Sequence, residues 1–516
     1  MGMKRKFNVL GNCIPDKHYM VDISGKLAQI QEMVDEGLYF TITRARQYGK
    51  TTTLGLLEKR LQGEYIVARM SFEAVGSLGF ETEEKFSLMF MEEMAHCLND
   101  STWIDPNVTS FKMLGRHLTK MCDGKKIVLM IDEVDKTCNN QVFLHFLGLL
   151  RSKYLDQNEG RDASFYSVIL AGVVDIKNIK IVMEQKGLIV RKENEGSNNS
   201  PWNIAADFEV DMSFSPTDIV TMLKDYEDDH NTGMDISAVA EEIYIYTSGY
   251  PFLVSRICQH IDRKLGKDWT AGGVQAAVKI LLTEKNTLFD DMSKNLENYD
   301  GLREFTRSIL IDGELKKYQT DNPIVDFGIM FGYFKNKNGQ IAISNRIFEI
   351  RMTNYFISKN ESDFTQKRIT GVLKEEIVID GKFDMALCIK KFAQHYYELF
   401  SSKDEIFYER HGRLLFLSYL QPLINGKGFY HIEAQTRNTK RMDIIVDYGT
   451  DQFIVELKLW KGESKHEEAY EQLLGYMDSK NADTGYLLTF DFSKKPKAHK
   501  PQWVDLKGKR IFDVII

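Results

Sequence analysis

Three residues in the last third of the chain have the side chains that metal-dependent phosphodiester cleavage requires. Asp443 opens a short β-branched run, and Glu456 and Lys458 interrupt a second run that begins at Phe453. The runs predict two strands joined by a turn at residues 448–451, with Glu456 and Lys458 on one face. Two carboxylates can bind a divalent cation, and a nearby amine can position or deprotonate water. An edge strand with a cross-strand salt bridge is the alternative.

Helical patterns lie on both sides of these strands. One covers residues 407–424 with Glu409 near its start, and the other covers residues 466–477 and contains Gln472. Together with the strands, they resemble the PD-(D/E)XK nuclease superfamily, in the subfamily found fused behind AAA-like ATPases. The resemblance covers about residues 372–516.

This resemblance implies a role for each polar residue. Asp443, Glu456 and Glu409 are implied ligands of Mg²⁺, for which Mn²⁺ can substitute. Lys458 is the implied catalytic lysine, and Gln472 is implied to lie near the metal or the scissile phosphate. The superfamily's proline beside the first acid is absent, although that position varies among its members. No acidic or basic member of the pattern is replaced by an inert residue, so we expect an active nuclease centre.

Other charges near the predicted strands have open roles. Glu433 is either a further metal ligand or, as we expect, a salt-bridge partner of Arg437 or Arg441. The basic segment 493–510, which includes Trp503, suits phosphate contacts and base stacking. A solvated charged tail is the alternative for that segment.

A phosphate-loop pattern lies near the N-terminus and lacks its first glycine. Residues 44–51 carry the pattern, with Arg44 at the glycine position, and an apolar run at 39–43 precedes them. Backbone amides at the following helix start can cradle phosphates, Lys50 can reach the terminal phosphates, and Thr51 can hold magnesium. A helix start without a ligand is the alternative.

A second acidic pair favours nucleotide binding. The apolar run that begins at Ile127 ends in Asp132 and Glu133, about eighty residues beyond the phosphate loop. Asp132 is placed to hold magnesium, and Glu133 to polarise the attacking water. An acidic helix cap would explain Asp132 but not the loop that contains Lys50. The two patterns together predict a nucleotide site.

These segments resemble a prokaryotic family of AAA-like P-loop ATPases related to the STAND class of signalling NTPases. The similarity covers about the first 280 residues and includes the arginine at the first glycine position. It implies ATP as ligand, bound by Arg44, Arg46, Gln47, Tyr48, Gly49, Lys50, Thr51, Thr52, Asp132 and Pro251, with Glu133 as a catalytic residue. Pro251 would lie in a helical lid. Arg256 is a sensor candidate or an ordinary surface arginine, and Asp175 and Asn178 are further sensor candidates.

Composition places the chain among globular proteins with several domains. Its 516 residues are 43% hydrophobic and 27% charged, which suggests about three domains. We predict a multidomain α/β fold with these parts: a P-loop ATPase core with a parallel sheet at 1–230, a helical lid at 231–285, a winged-helix-like connector at 286–360 and a PD-(D/E)XK core at 372–516. Because the net charge is −7, nucleic acid must bind through local basic surface.

The remaining features indicate where the chain acts. Six scattered cysteines lack metal-ligand spacing, and neither a signal peptide nor a membrane-spanning apolar stretch is visible. We therefore expect a cytoplasmic protein. The resemblances imply an ATP-regulated, magnesium-dependent nuclease acting on nucleic acid, with DNA as the expected substrate, self-association, and a role in anti-phage defence or mobile-element biology. The alternatives are a STAND-type signalling ATPase whose C-terminal domain binds nucleic acid without cutting, and a nuclease with an inert nucleotide-bound scaffold.

Overall fold

The chain separates into two compact units. The first comprises residues 1–281 and 326–333, and the second comprises residues 282–325 and 334–516. The computed structural model describes residues 5–73, 75–136, 140–173, 202–311, 314–319, 321–361, 376–399, 409–424, 428–434, 442–491 and 499–516.

A parallel sheet forms the centre of the first unit. Its strands are β1 (Tyr39–Thr43), β2 (Ile66–Ser71), β3 (Ile127–Asp132) and β4 (Ser167–Gly172). They are hydrogen-bonded in the order β1-β4-β3-β2, and every pairing is parallel. The predicted α/β class and the parallel sheet are confirmed.

Helices cover both faces of this sheet. They are α1 (Ser24–Asp35), α2 (Lys50–Leu61), α3 (Glu83–Leu98), α4 (Phe111–Cys122) and α5 (Gln141–Asn158). Leu129 and Ile131 of β3 pack with α3, α4 and α5, whereas Val128 and Met130 pack with α1 and α2. Both faces of β3 are therefore buried, which explains its uninterrupted apolar run.

A helical segment follows the sheet. Its members are α6 (Pro216–His230), α7 (Ile236–Thr247), α8 (Pro251–Lys264) and α9 (Ala271–Thr283). A capping box begins α6: the Ser215 hydroxyl accepts from the Asp218 N–H, and the Asp218 carboxylate accepts from the Ser215 N–H. Pro216 occupies the first helical position, where its missing N–H costs nothing.

A partly buried ion pair connects α4 and α5 to the segment before β4. Lys153 Nζ lies 2.6 Å from Asp162 Oδ2 and 2.5 Å from Thr119 Oγ1. Burial acts to raise the pKa of the Asp162 carboxyl, but hydrogen bonds from Lys153, Thr119 and the Ala163 N–H outweigh it and lower that pKa. Asp162 therefore stabilises the fold in its ionised form.

We expect Asp162→Asn to lower the free energy of unfolding by about 2 kcal/mol, because the buried Lys153 ammonium loses its charged partner. The matched control is Asp156→Asn, which removes an exposed ion pair with Arg161 and should cost less than about 1 kcal/mol. Denaturant unfolding at several pH values measures both. The difference between wild type and Asp162→Asn should be full above about pH 4 and shrink as the pH falls through the lowered pKa of Asp162. A constant difference down to pH 2 would contradict this assignment.

Helices and a hairpin begin the second unit. The elements are α10 (Thr287–Asn298), α11 (Asp300–Leu310), α12 (Pro323–Met330, whose last residues belong to the first unit), β5 (Phe334–Lys337), β6 (Gln340–Ile343) and α13 (Arg346–Glu361). Asn338 and Gly339 form the hairpin turn with φ of 54° and 78°, as type I′ geometry requires. The hairpin lies within residues 286–360, and the assignment of that segment to a winged-helix-like connector stays a prediction.

A six-stranded mixed sheet dominates the rest of the second unit. The elements are β7 (Val378–Ile379), β8 (Lys382–Phe383), α14 (Met385–Leu399), α15 (Glu409–Ile424), β9 (Gly428–Ala434), β10 (Met442–Tyr448), β11 (Asp451–Leu459), α16 (Glu463–Ser479), β12 (Thr484–Phe490), β13 (His499–Leu506) and β14 (Lys509–Ile515). The order is β13-β14-β12-β11-β10-β9, with β12 parallel to both β11 and β14 and the other pairs antiparallel. Ile445, Ile454 and Leu487 pack against α16.

The strand pair predicted around the nuclease motif is confirmed. β10 and β11 pair antiparallel and are joined through Gly449, whose φ is 63°. Because β11 lies between β12 and β10, it is an inner strand, and the edge-strand alternative is wrong. Among the residues that the structure describes, no helix combines the length and the apolar character needed to cross a membrane.

Candidate functional site

The phosphate loop connects β1 to α2 in the first unit. Gly49 stands at the N-cap of α2 with φ of 82°, a left-handed conformation that favours glycine. Lys50 follows at the first helical position and is only 6% exposed. Its Nζ donates to the Arg44 carbonyl at 2.9 Å and to the Ala45 carbonyl at 3.1 Å. The lysine amine therefore lies inside the loop, where it could contact a bound phosphate.

Arg44 does not extend into the loop interior. Its guanidinium donates to the carbonyls of Thr43 and Val210, at 2.8 and 2.7 Å, and lies over the Phe208 ring. Burial lowers the pKa of this guanidinium. The Arg44 side chain thus ties the loop to the segment after residue 202, and only its backbone faces Lys50.

Carboxylates from the end of β3 lie near Lys50. Asp132 is buried and accepts from the Glu133 N–H at 2.9 Å, and Glu133 has φ of 57°. Burial lowers the pKa of the Lys50 amine, and the charges of Asp135, Glu133 and Asp132 oppose that shift. Burial, followed by the charge of Asp135, raises the pKa of Glu133. The structure therefore brings together Lys50, Asp132 and Glu133, as expected.

Asp135 belongs to this acidic group but was missed in the sequence. Its Oδ1 accepts from the Val173 N–H at 2.6 Å, directly after β4. The Arg44 N–H in turn donates to the Gly172 carbonyl at 3.1 Å. Asp135 therefore connects the ends of β3 and β4, and β4 connects to the phosphate loop. The third acid of the motif in residues 132–135 was the available sequence signal.

A cavity of about 210 Å³ adjoins the phosphate loop. Five of the predicted nucleotide-binding residues contribute to its wall or lie at its edge: Gln47, Tyr48, Gly49, Thr52 and Pro251. The N-terminal residues Asn8–Gly11 form another wall, which sequence motifs alone did not indicate. Apolar side chains such as Ile23 and Phe252 line much of the interior. An apolar cavity beside a phosphate loop suits the base and sugar of a nucleotide.

The start of α8 holds the backbone of the loop. The Tyr250 hydroxyl donates to the Arg46 carbonyl at 2.5 Å, and its ring meets the Tyr48 ring edge to face at 4.7 Å. The Arg46 side chain is exposed. The Arg256 guanidinium donates to Gln259 Oε1, and Arg256 is not among the cavity-lining residues. Asp175 and Asn178 lie outside the described residues.

The nuclease motif in the second unit places a carboxylate and an amine side by side. Glu456 and Lys458 are 2% and 6% exposed, and Lys458 Nζ forms an ion pair with Glu456 Oε1. Both lie on the face of β11 that carries Ile454, which packs against α16, while Leu457 is buried on the opposite face. Buried charges require a paired partner or a ligand. The predicted orientation of the two residues agrees with the structure.

The backbone register places the first acid of the motif beside the second. Ile444 on β10 pairs with Val455 on β11. Because the pair is antiparallel, Asp443 and Glu456 are the next two positions to lie opposite each other. Asp443 also pairs with Glu433 on β9. Glu409 is the first residue of α15. The side chains of Asp443, Glu433 and Glu409 lie outside what the structure describes, as do Arg437 and Arg441.

Two oxygen-bearing side chains in the described part of the second unit are available to a divalent ion, those of Glu456 and Gln472. Gln472 lies on α16, and its Oε1 is buried without a hydrogen-bond partner in the part of the chain that the structure describes. An unsatisfied amide oxygen and the buried Glu456 carboxylate are the hard oxygen donors that Mg²⁺ prefers. No group of three acidic, histidine or cysteine side chains that could bind a metal occurs among the described residues, which exclude the Asp443 side chain. These two oxygen donors fit a site for a divalent cation.

Two lysines in the described part of the basic C-terminal segment form ion pairs within the second unit. Lys507 lies 2.5 Å from Glu471, and Lys509 lies 2.9 Å from Asp478, both on α16. The exposed Trp503 ring lies 4.6 Å from the Arg510 guanidinium carbon. Residues 492–498 lie outside the described residues. A guanidinium beside an exposed aromatic ring, as in Arg510 and Trp503, has the composition of a nucleic-acid contact.

Comparison with known proteins places the C-terminal part in a nuclease group. Residues 429–500 match the family model described as PD-(D/E)XK nuclease superfamily. This match confirms the predicted C-terminal domain type and indicates an enzyme. No curated protein matches the chain.

The chain is similar to several solved structures at low sequence identity. A Walker-type ATPase of Pyrococcus abyssi is 12% identical with a TM-score of 0.46, over 67% of this chain and 99% of its own. The Aeropyrum pernix ORC2 protein is 10% identical with a TM-score of 0.33, over 65% and 93%. A Thermotoga maritima RuvB variant is 13% identical with a TM-score of 0.31, over 63% and 92%. These values support no conclusion about activity.

Proposed function

We propose that this chain is an ATP-regulated, magnesium-dependent nuclease. The observation that carries the proposal is the buried pair Glu456 and Lys458 on one face of an inner strand, within the segment that matches the nuclease superfamily. Burial of both charges is costly for a purely structural pair, since desolvation offsets much of the attraction. A site that binds a cation and a phosphodiester explains why these residue types occupy this face.

The proposed chemistry assigns one task to each residue. Asp443 and Glu456 would hold the magnesium ion, with Glu409 and Gln472 completing the site, and Mn²⁺ could substitute. A bound ion supplies charge neutralisation at the phosphate and activates water. Lys458 positions or deprotonates the attacking water and offsets charge that develops on the phosphate oxygens. Burial keeps the lysine amine in place and strengthens its interaction with that charge.

ATP is the proposed ligand of the first unit. The cavity beside Tyr48 and Pro251 would take the base and sugar, and the loop amides with Lys50 would take the phosphates. Thr51 and Asp132 would hold magnesium, and Glu133 would polarise the attacking water. The cluster of acids at the end of β3 supports hydrolysis in addition to binding.

A short segment of the first unit offers a route for regulation. Residues 326–333 belong to the first unit, although the chain on both sides belongs to the second. Gly332 has φ of 74°, and a Cβ added there would lie 2.8 Å from the Ala45 Cβ and 3.5 Å from the Tyr250 ring. The segment therefore packs against the phosphate loop and the start of α8. A nucleotide-dependent movement of the loop would reach the hairpin that begins two residues later.

We expect Gly332→Ala to reduce the effect of ATP on cleavage by about tenfold, because the added methyl group displaces the phosphate loop from residues 326–333. Gly339→Ala is the matched control, since its φ is 78° and no atom lies within 4 Å of the added carbon. Both variants carry similar backbone strain, so unfolding temperatures should shift alike. Cleavage rates with and without ATP measure the coupling. Equal ATP effects in the two variants would contradict this route.

Substrate and setting form the finer part of the proposal. DNA is the proposed substrate, with Arg510 and Trp503 as a local contact on a chain of net charge −7. Self-association and a role in anti-phage defence or mobile-element biology are proposed from the resemblance to AAA-like ATPases fused to nucleases, and a cytoplasmic location is proposed from the scattered cysteines. A switch controlled by ATP would keep a nuclease inactive until a signal arrives.

One assay tests the proposal as a whole. The purified full chain is incubated with single- and double-stranded DNA and RNA, with Mg²⁺ or Mn²⁺, and with or without ATP. The expected result is metal-dependent cleavage whose rate changes with ATP. Binding without cleavage on every substrate would support a signalling ATPase that only binds nucleic acid. A cleavage rate that is the same with and without ATP would support a nuclease with an inert nucleotide-bound scaffold.

A further inference from the structure

A second buried polar cluster lies beside the proposed nuclease centre. His466 Nε2 is 3.2 Å from Asp513 Oδ2, and the Tyr470 hydroxyl donates to the same oxygen at 2.8 Å. The Thr489 hydroxyl lies 3.4 Å from His466 Nδ1. Asp513 is 2% exposed and the His466 side chain 11% exposed. The four residues come from α16, β12 and β14 and form one hydrogen-bonded group.

The strand register places this group on the same face as the nuclease motif. Glu456 pairs with Leu487, and Leu487 pairs with Asp513. Paired residues project to the same face of a sheet. The Cα positions of Glu456 and Asp513 are about 10 Å apart, across two strand spacings. Thr489 is closer still, because it is the direct partner of Lys458 in the parallel pair of β11 and β12.

Packing alone does not account for the composition of this cluster. Asp513 Oδ1 is buried and has no hydrogen-bond partner in the part of the chain that the structure describes. A buried acceptor without a partner costs about 1 to 3 kcal/mol, which an apolar residue would avoid. The Trp460 ring also lies near His466, with its centroid 5.2 Å from the imidazole centroid. A buried polar atom without a partner calls for an explanation such as a functional role.

We propose that His466 is a positioning residue of the nuclease centre, acting on Lys458 through Thr489. This inference rests on the proposed nuclease function. The Asp513 carboxylate accepts a hydrogen bond from the Nε2–H group of His466. This bond fixes the tautomer in which Nδ1 is a hydrogen-bond acceptor. Nδ1 then orients the Thr489 hydroxyl, and the strand register sets Thr489 beside Lys458 on the same face. The cluster keeps the amine directed at the reacting phosphate.

A pair of substitutions at Thr489 separates this role from packing. Thr489→Val is isosteric and removes the hydroxyl, whereas Thr489→Ser keeps the hydroxyl and loses a methyl group. We expect Thr489→Val to lower kcat about tenfold with KM unchanged, and Thr489→Ser to retain most of the wild-type kcat. A purely structural residue would show the opposite order, since valine preserves packing better. Equal kcat values for wild type and Thr489→Val would overturn the proposal.

Asp513→Asn extends the kinetic test to the far end of the cluster. It should change the shape of the pH profile of kcat, because the imidazole loses the carboxylate that fixes its tautomer. Asp505→Asn, at an exposed position on the neighbouring strand β13, is the matched control and should leave the profile unchanged. Profiles for Asp513→Asn and wild type that differ only by a constant factor would contradict a positioning role.

A measurement that does not need cleavage distinguishes failure of this inference from failure of the proposed function. His466 is followed by NMR in the full chain with ¹³C-labelled histidine, assigned with His466→Gln. Replacing Lys458 by methionine removes the amine at the far end of the proposed link and should shift the side-chain ¹³C signals of His466. Coinciding signals in the two proteins would overturn the link to Lys458 even in an active nuclease. Shifted signals in a protein that cleaves nothing would support the link and contradict the nuclease.

Discussion

The Lys458→Met variant is expected to lose metal-dependent cleavage by about 1,000-fold, the usual size of a general acid-base contribution. Lys458 is buried and ion-paired with Glu456, so its amine is held on the face where the phosphodiester would bind. Methionine keeps the apolar stem and removes the charge, which limits disturbance of packing. The loss should appear in kcat with little change in KM, because the amine acts on charge that develops during the reaction.

The matched control for Lys458→Met is Lys461→Ala, which removes an exposed lysine just beyond the same strand. Its cleavage rate should remain within about twofold of wild type, since isolated surface charges contribute little. Lys458→Met leaves the buried Glu456 carboxylate without its cationic partner, so thermal unfolding must be recorded for both variants. A folded Lys458→Met protein that cleaves at the wild-type rate would contradict the catalytic role.

The second large effect is expected at the end of β3. Glu133→Gln should reduce ATP hydrolysis about 100-fold or more while ATP binding remains, because an amide cannot polarise the attacking water. Lys50→Ala should instead weaken ATP binding itself by about 10 to 100-fold, since the buried amine is the group proposed to contact the phosphates. The two variants therefore separate hydrolysis from binding.

Steady-state hydrolysis and calorimetric ATP binding measure this pair, with the exposed Glu159→Gln as the control. The Glu133→Gln protein accumulates its ATP-bound form, so its nuclease activity should match that of wild type with a non-hydrolysable analogue. Lys50→Ala should behave as wild type without ATP. Identical nuclease activity in wild type, Glu133→Gln and Lys50→Ala would show that the ATPase unit has no regulatory role and would favour an inert scaffold.

Local sequence signals were sufficient for the elements that carry the motifs. Continuous apolar runs such as Ile127–Ile131 predict strands buried on both faces, and the structure shows such a strand. The spacing of Glu456 and Lys458 predicts a shared face because alternation along a strand is fixed by backbone geometry. The same argument does not establish how the Asp443 side chain is oriented, which remains a prediction.

Features that depend on tertiary packing could not be predicted from the sequence. The Arg44 guanidinium binds the carbonyl of Val210, 166 positions along the chain, and no local pattern connects the two. His466 and Asp513 lie 47 positions apart and meet only because α16 packs over the sheet. Asp135 was overlooked for a different reason: its partner Val173 follows another strand, so its role depends on the parallel pairing of β3 with β4.

The most direct test of the nuclease centre is a metal titration of cleavage by wild type and by Glu456→Gln. This isosteric change removes one carboxylate charge from the site and keeps its shape. Wild-type protein should show saturable activation by Mg²⁺ and no cleavage in EDTA, whereas Glu456→Gln should need far more metal or show no activation. Cleavage that persists in EDTA, or equal metal dependence in the two proteins, would contradict the account.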